Sequence, residues 1–182
     1  MSKDYIAEQL RWLDGMLTHL ENQSLFEDEN LLLIQQEFAS RWVQEDRLAL
    51  LNDLARKFGE EHVMAVLDQI ISANCKRDWK RTGQDGGNSL GRFFELLWEP
   101  LRKNGFEYSM VTEGNKTTFC VTKCAIYDLA RKIGAEKWLY HLACLTDEPA
   151  VTGFNDRVTF SRTRTLMQGY SDCDHCYTDH SQ

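Results

Sequence analysis

Six cysteines carry most of the chemistry this chain can offer: Cys75, Cys120, Cys124, Cys144, Cys173 and Cys176. Five of the six fall after residue 119. A thiolate is both a nucleophile and a soft metal ligand, so their surroundings decide their use. Cys124 stands where a β-branched run, Thr117 to Thr122, gives way to a helical pattern starting at Ala125. A thiol at a helix N-terminus meets the positive end of the dipole, which predicts a lowered pKa and accessible thiolate. The plainer alternative is a small buried side chain, since free cysteine is among the most buried residue types.

His141, Cys144 and Asp147 follow at spacings of three. On a helix they share a face and can present metal ligands or an acid–base set. The other reading of Asp147 is that it ends a helix before Pro149. The tail reads Cys173-Asp174-His175-Cys176. A Cys-x-x-Cys is a zinc half-site only beside a second pair, for which Cys120-x-x-x-Cys124 is the candidate. If 173–177 is a strand, Cys173, His175 and Tyr177 face one way and Asp174 and Cys176 the other. The two cysteines of the pair then point away from one another. Arg157, Arg162 and Arg164 lie near this tail in sequence. Guanidinium forks grip carboxylates, so this group is a candidate site for a small acid; an exposed strand with paired charges is the alternative. His19 and His62 sit in helical runs and read as surface residues.

The elements that must position these groups can be read from periodicity. Ile6, Leu10, Leu13, Leu17 and Leu20 form one helical stripe over 4–22. A polar connection follows at 22–28. Residues 30–58 are helical with a break near Gln44–Asp46, and Gly59 is a stop. A further helix spans 60–81. Gly83 to Gly87 lacks the Gly-Lys-Ser/Thr ending of a phosphate loop, and no strand precedes it, so it reads as a flexible connector. Asn88 then caps a helix carrying Leu90, Phe93, Phe94, Leu97 and Trp98. After Gly105 the period changes: 106–110 and 117–122 read as a β-hairpin, 125–133 and 135–146 as short helices, 157–163 as a strand, and 173–178 as a fourth. The expected fold class is α+β, a single domain over 1–182. Its mainly helical part is 1–104; an α+β part, 105–182, carries the cysteine-rich site.

The chain has 182 residues and a net charge of −7. That charge disfavours nucleic acid, whose phosphates need Lys/Arg clusters. No run reaches about 18 apolar residues, which argues against a membrane partner. The first residues lack the basic, apolar and small-residue pattern of a signal peptide. A cytoplasmic location is expected, and with it reduced thiols. The expected partner is a small-molecule substrate. The apolar stripe of the first helix also suits a homo-oligomer.

Four blocks in order resemble the L-2-amino-thiazoline-4-carboxylic acid hydrolase family: Phe119 to Ala125; Cys144-Leu145-Thr146-Asp147; Phe160 to Gly169; and Cys173-Asp174-His175. The chain departs from that pattern at Tyr170, where the family often has Asp, and at Cys176, where it usually has a basic residue. The resemblance implies ring-opening hydrolysis of a small cyclic thio-amidine acid. It maps onto Cys124, Cys144, Asp147, Gly169, Cys173 and Asp174, of which Cys124, Cys144, Asp147, Cys173 and Asp174 are the candidate catalytic residues; from the chemistry of guanidinium forks, Arg162 and Arg164 are the candidate substrate-binding groups. Cys124, Cys144, Cys173 and His175 form the candidate metal set, with zinc or iron as the candidate ion. The chemistry of the residues allows either a cysteine nucleophile or a metal-bound hydroxide. The other functional class is a small-molecule or metal-binding sensor module without turnover.

Overall fold

A computed structural model describes residues 3–18 and 25–181. His19, Leu20 and the first part of the connection read at 22–28 lie outside the described residues. The chain divides into two compact units, one over Lys3–Asn74 and one from Cys75 onward. The change from helix to sheet falls elsewhere, between Lys103 and Glu107.

The first unit holds α1 (Lys3–Thr18), α2 (Glu29–Arg41), α3 (Arg47–Phe58) and the start of α4 (Glu60–Gly86). Aspartates set two of the starts. Asp28 accepts from the backbone N–H groups of Asn30 and Leu31, and Asp46 accepts from that of Ala49. The Asp46 cap is the physical reason for the break near residue 45, because it satisfies N–H groups that a new helix leaves free. Gly59, at φ +90°, closes α3. Ile34, Phe38, Trp42, Leu50, Leu51 and Leu54 form the buried face. Asp14 ties α1 to this layer, accepting from Trp42 Nε1 at 3.0 Å and pairing with Arg47 at 2.7 Å.

In the second unit, α4 continues through Gly83 to Gly86 instead of ending near residue 81. The glycine-rich stretch is therefore largely helix and not a flexible connector. The reason is tertiary. A Cβ at Gly83 would sit 2.6 Å from the carbonyl oxygen of Phe154. Further up the helix, a Cβ at Gly153 would sit 2.8 Å from Lys76 Cα. These two glycines let α4 and α8 (Asp147–Phe154) approach backbone to backbone. α5 (Leu90–Lys103) is capped by Ser89 and not by Asn88; the Ser89 hydroxyl accepts from Arg92 N–H at 3.3 Å. The Asn88 carbonyl instead accepts from Asn155 Nδ2.

The fold is α+β, with one four-stranded antiparallel sheet of order β1-β2-β4-β3. The strands are β1 (Glu107–Glu113), β2 (Lys116–Lys123), β3 (Val158–Ser161) and β4 (Cys173–Asp179). Register places Phe119 opposite His175, Val121 opposite Cys173 and Phe160 opposite Tyr177. This face is buried under aromatic side chains of α5: Trp98 stacks on Phe119 at 4.1 Å, and Phe93 and Phe94 meet Tyr177 at 5.8 and 5.2 Å. Between the strands lie α6 (Ala125–Ile133), closed by Gly134 in the left-handed region, and α7 (Glu136–Leu142). A 3-10 turn over Cys144–Thr146 then leads into α8.

Asp147 thus opens a helix instead of ending one. An acid is favoured at that position by the dipole, and Pro149 fits the first turn because its missing N–H would have no partner there. The loop from β3 to β4 is fastened by Asp174, which accepts from the backbone N–H groups of Thr163 and Arg164 at 2.9 and 2.8 Å and from the Thr163 hydroxyl at 2.6 Å.

The α4–α8 approach gives a direct test. Alanine normally suits a helix interior better than glycine by about 0.5–1 kcal/mol. In Gly153→Ala the clash with the Lys76 backbone reverses that sign, and a net loss of about 1–3 kcal/mol is expected from urea unfolding. A variant as stable as the parent would mean that the helices are not in backbone contact here.

Candidate functional site

The centre of the site is a half-buried carboxylate. Asp147, at the start of α8, pairs through Oδ2 with Nη1 of Arg162, which follows β3; their side chains are only 17% and 8% exposed. Arg162 Nη2 donates to the Cys144 carbonyl at 3.0 Å. On the other side, His175 Nε2 lies 3.3 Å from the same Asp147 oxygen. A carboxylate only accepts, so in neutral His175 the proton sits on Nε2 and Nδ1 is an acceptor. Nδ1 itself is buried without a hydrogen-bond partner. A guanidinium, a carboxylate and an imidazole from three elements therefore form one line.

Four thiols surround this line, and all are held in the neutral form. Burial pushes the Cys144 thiol far up, the Asp147 charge adds to this, and Arg162 opposes it. Burial does the same to Cys75, again with help from Asp147. Burial also raises Cys173, although its sulfur accepts the Leu166 N–H at 3.2 Å and Arg162 draws it back down. Cys124 is the N-cap of α6, with its sulfur accepting the Tyr127 N–H at 3.4 Å. The expectation of a lowered pKa is nonetheless overturned: burial outweighs the donations from Tyr127 and Ile126 and takes the thiol up to about 11. Desolvation acts on the whole charge of a thiolate, whereas the helix end supplies two weak N–H contacts to sulfur.

A cavity of about 350 Å³ opens beside Arg162. Cys144, Arg162, Phe160, Tyr140, Glu148 and Gln168 are among its lining residues. Glu148 is exposed. Arg162 places one N–H on Asp147 and one on the Cys144 carbonyl; a guanidinium carries five N–H donors, more than these two contacts use.

The structure thus gathers Cys124, Cys144, Asp147, Arg162, Cys173 and His175 in one region. It does not bring Asp174 or Arg164 there. Asp174 lies on the opposite face of β4 and is committed to the β3–β4 loop; Arg164 pairs with Asp172 at 2.7 Å and with Asp174 at 3.4 Å. Cys120, opposite Asp174 in the register, shares that outer face, and Cys176 lies there too. Arg157 lies at the far end of β3, and His141 is on α7 with its ring against Tyr140. Cys124, Cys144, Cys173 and His175 do not form a ligand set: among the described residues no group of three or more His, Cys, Asp or Glu could hold a metal ion. The nitrogen of His175 and the sulfurs of Cys124 and Cys173 each address a different protein group.

Several participants gave no sequence signal. Cys75 sits alone on α4, and its thiol donates to the Thr146 carbonyl at 3.6 Å. Glu148 and Tyr140 reach the cavity only because the chain turns at residues 143–147. Strand alternation puts Tyr177 on the inner face, but nothing in its spacing marks it as a neighbour of Asp147, whose charge adds to burial in holding its hydroxyl neutral.

The chain belongs to the L-2-amino-thiazoline-4-carboxylic acid hydrolase family, whose model matches residues 37–177. No curated protein matches the chain. Among solved structures, an H-NOX domain from Shewanella oneidensis, determined by NMR in its Fe(II)CO ligation state, is similar over 96% of this chain and 98% of its own. The identity is 10% and the TM-score 0.45. No described helix is long and apolar enough to cross a membrane.

Two outcomes follow from the electrostatics. Asp147→Asn leaves Arg162 buried without a counter-charge and should cost about 3–5 kcal/mol of stability in urea unfolding, with part recovered by adding Arg162→Met. An unchanged midpoint would mean that the pair is not buried in solution. For Cys124, alkylation by iodoacetamide mapped by mass spectrometry should still be accelerating as pH rises toward 11, because the thiol is protonated below that value. A rate already level by about pH 8, near the ordinary thiol value, would show that the helix end dominates after all.

Proposed function

We propose that this protein hydrolyses a small cyclic thio-amidine acid with opening of its ring, the reaction class for which its family is named. The observation that carries this reading is the cavity lined by both Cys144 and an arginine anchored by Asp147. Arg162 would take the substrate carboxylate with its remaining N–H donors. Glu148 on the same wall would face the basic amidine, and Phe160 and Tyr140 offer aromatic surface to a flat ring.

The Cys144 thiol is the attacking group in this reading. Its proton passes to the ring nitrogen while sulfur bonds to the amidine carbon. The ring carbon–sulfur bond then breaks, and the departing sulfur keeps the electron pair. Water adds to the same carbon and Cys144 leaves, regaining one proton of the water; the other goes to the freed thiolate. One substrate and one water give one carbamoyl-cysteine. The high pKa of Cys144 makes its thiolate scarce but intrinsically strong as a nucleophile. The substrate's own nitrogen serves as the base in this step.

The test is incubation with 2-aminothiazoline-4-carboxylate, following released thiol and the mass of the protein. Turnover is expected, with a transient mass gain of one substrate on Cys144. Cys144→Ser should lower kcat by about 10²-fold or more, and Glu148→Gln should raise KM roughly tenfold, the loss of about 1.4 kcal/mol of binding. Full activity in Cys144→Ser would replace the thiol by direct attack of water. Tight binding without turnover in the parent protein would make the chain a binding module instead of a hydrolase.

A further inference from the structure

Arg162 and Gln168 stand at the two ends of one short loop, and both line the cavity of about 350 Å³. The backbone between them is fastened to β4 at three points. Asp174 accepts from the N–H groups of Thr163 and Arg164, and the Cys173 sulfur accepts from that of Leu166 at 3.2 Å. The loop then tightens into a 3-10 turn over Leu166–Gln168, with the buried Thr165 as its N-cap. Both ends of the loop are thus held in a fixed relation to one strand.

The turn closes through its backbone, because the Thr165 carbonyl accepts the N–H groups of Gln168 and Tyr170 at 3.1 and 3.2 Å. The side chains add a second pair of bonds. The Thr165 hydroxyl accepts the Gln168 N–H at 3.1 Å and donates its own proton to Gln168 Oε1 at 3.0 Å. A side-chain amide has one accepting end and one donating end. With its oxygen on Thr165, Gln168 offers a ligand its NH2 group. A buried hydroxyl thereby sets the orientation of an exposed side chain beside the cavity.

What such a donor can bind follows from its neighbour. A guanidinium engages a carboxylate through two parallel bonds, while the two carboxylate oxygens offer about four acceptor sites. Two N–H groups of Arg162 go to Asp147 and the Cys144 carbonyl. A neutral donor on the same loop adds a bond to the same anion. Unlike a second cation, it leaves the charge balance of Asp147 and Arg162 as it is.

We propose that Gln168 is a second carboxylate-binding residue of the cavity, donating through its NH2 group to the carboxylate that Arg162 holds, and that Thr165 is the positioning residue that keeps the amide turned that way. This rests on the reading of the cavity as a site for a small acid. Preference for the acid over the same ring without its carboxylate is then set jointly by Arg162 and Gln168.

The test is calorimetric titration of the intact protein with 2-aminothiazole-4-carboxylate, an aromatic analogue that resists ring opening, and with 2-aminothiazole, which lacks the carboxylate. Gln168→Glu keeps the oxygen that accepts from Thr165 and replaces the donor by a repelling oxygen. It should weaken binding of the acid about tenfold or more and leave 2-aminothiazole no weaker. Thr165→Val should also weaken the acid selectively, and Thr165→Ser, which retains the hydroxyl, should bind as the parent does. Undiminished binding of the acid by Gln168→Glu, or equal weakening of both ligands, would overturn the proposal. A parent protein with no preference for the acid would overturn it too, together with the reading of the cavity as an acid site. Absence of turnover with the thiazoline, by contrast, would remove the hydrolase reading and leave these binding results to decide. If Thr165→Val fails to fold, Gln168→Glu and Thr165→Ser still decide.

Discussion

A guanidinium withdrawn from water must be matched by an opposite charge, and in this protein one carboxylate meets that demand. The Asp147–Arg162 pair joins the start of α8 to the end of β3, and the Cys144 carbonyl receives a second arm of the same fork. Through His175 the carboxylate also reaches β4. Such a pair adds little net stability, because desolvation consumes most of the Coulomb energy. Its importance is conditional: with both partners present the elements are fixed in place, and with one removed a bare charge remains in the core.

The same charge governs the thiols. A carboxylate beside a sulfur disfavours thiolate, and burial disfavours it more. Cys75, Cys124, Cys144 and Cys173 are therefore neutral in the resting protein. In the proposed reaction, chemistry at Cys144 depends on a proton acceptor that arrives with the substrate. An amidine brings one, which links the electrostatics of the resting site to the kind of molecule that could be turned over in it.

Around this centre the fold supplies rigidity by two different means. Gly83 and Gly153 bring α4 and α8 within backbone distance, which fixes the helix on which Asp147 rides. Trp98, Phe119 and Tyr177 cover the inner face of the sheet with large, stiff rings, which fixes the strand on which His175 sits. Asp174, on the opposite face of that strand, fastens the loop that carries Arg162. The outer face of β4 thus holds the backbone still, while its inner face presents groups to the site.

Periodicity alone determined much of this protein. The α+β class, the hairpin, the stop at Gly59 and the alternation that separates Cys173 and His175 from Asp174 all follow from local spacing, because side-chain direction in helices and strands repeats with a fixed period. The Cys124 cap and the Asp147 block were also visible as residue types at the right places. What spacing could not reveal is how strongly each group is desolvated, since burial depends on segments far apart in the chain. That is why the Cys124 thiol is raised and not lowered. It is also why Asp174 serves a loop, why Gly83 lies in a helix, and why Cys75 joins thiols that follow it by dozens of residues. Dielectric environment and backbone approach are tertiary quantities, and at this site they outweigh the local rules.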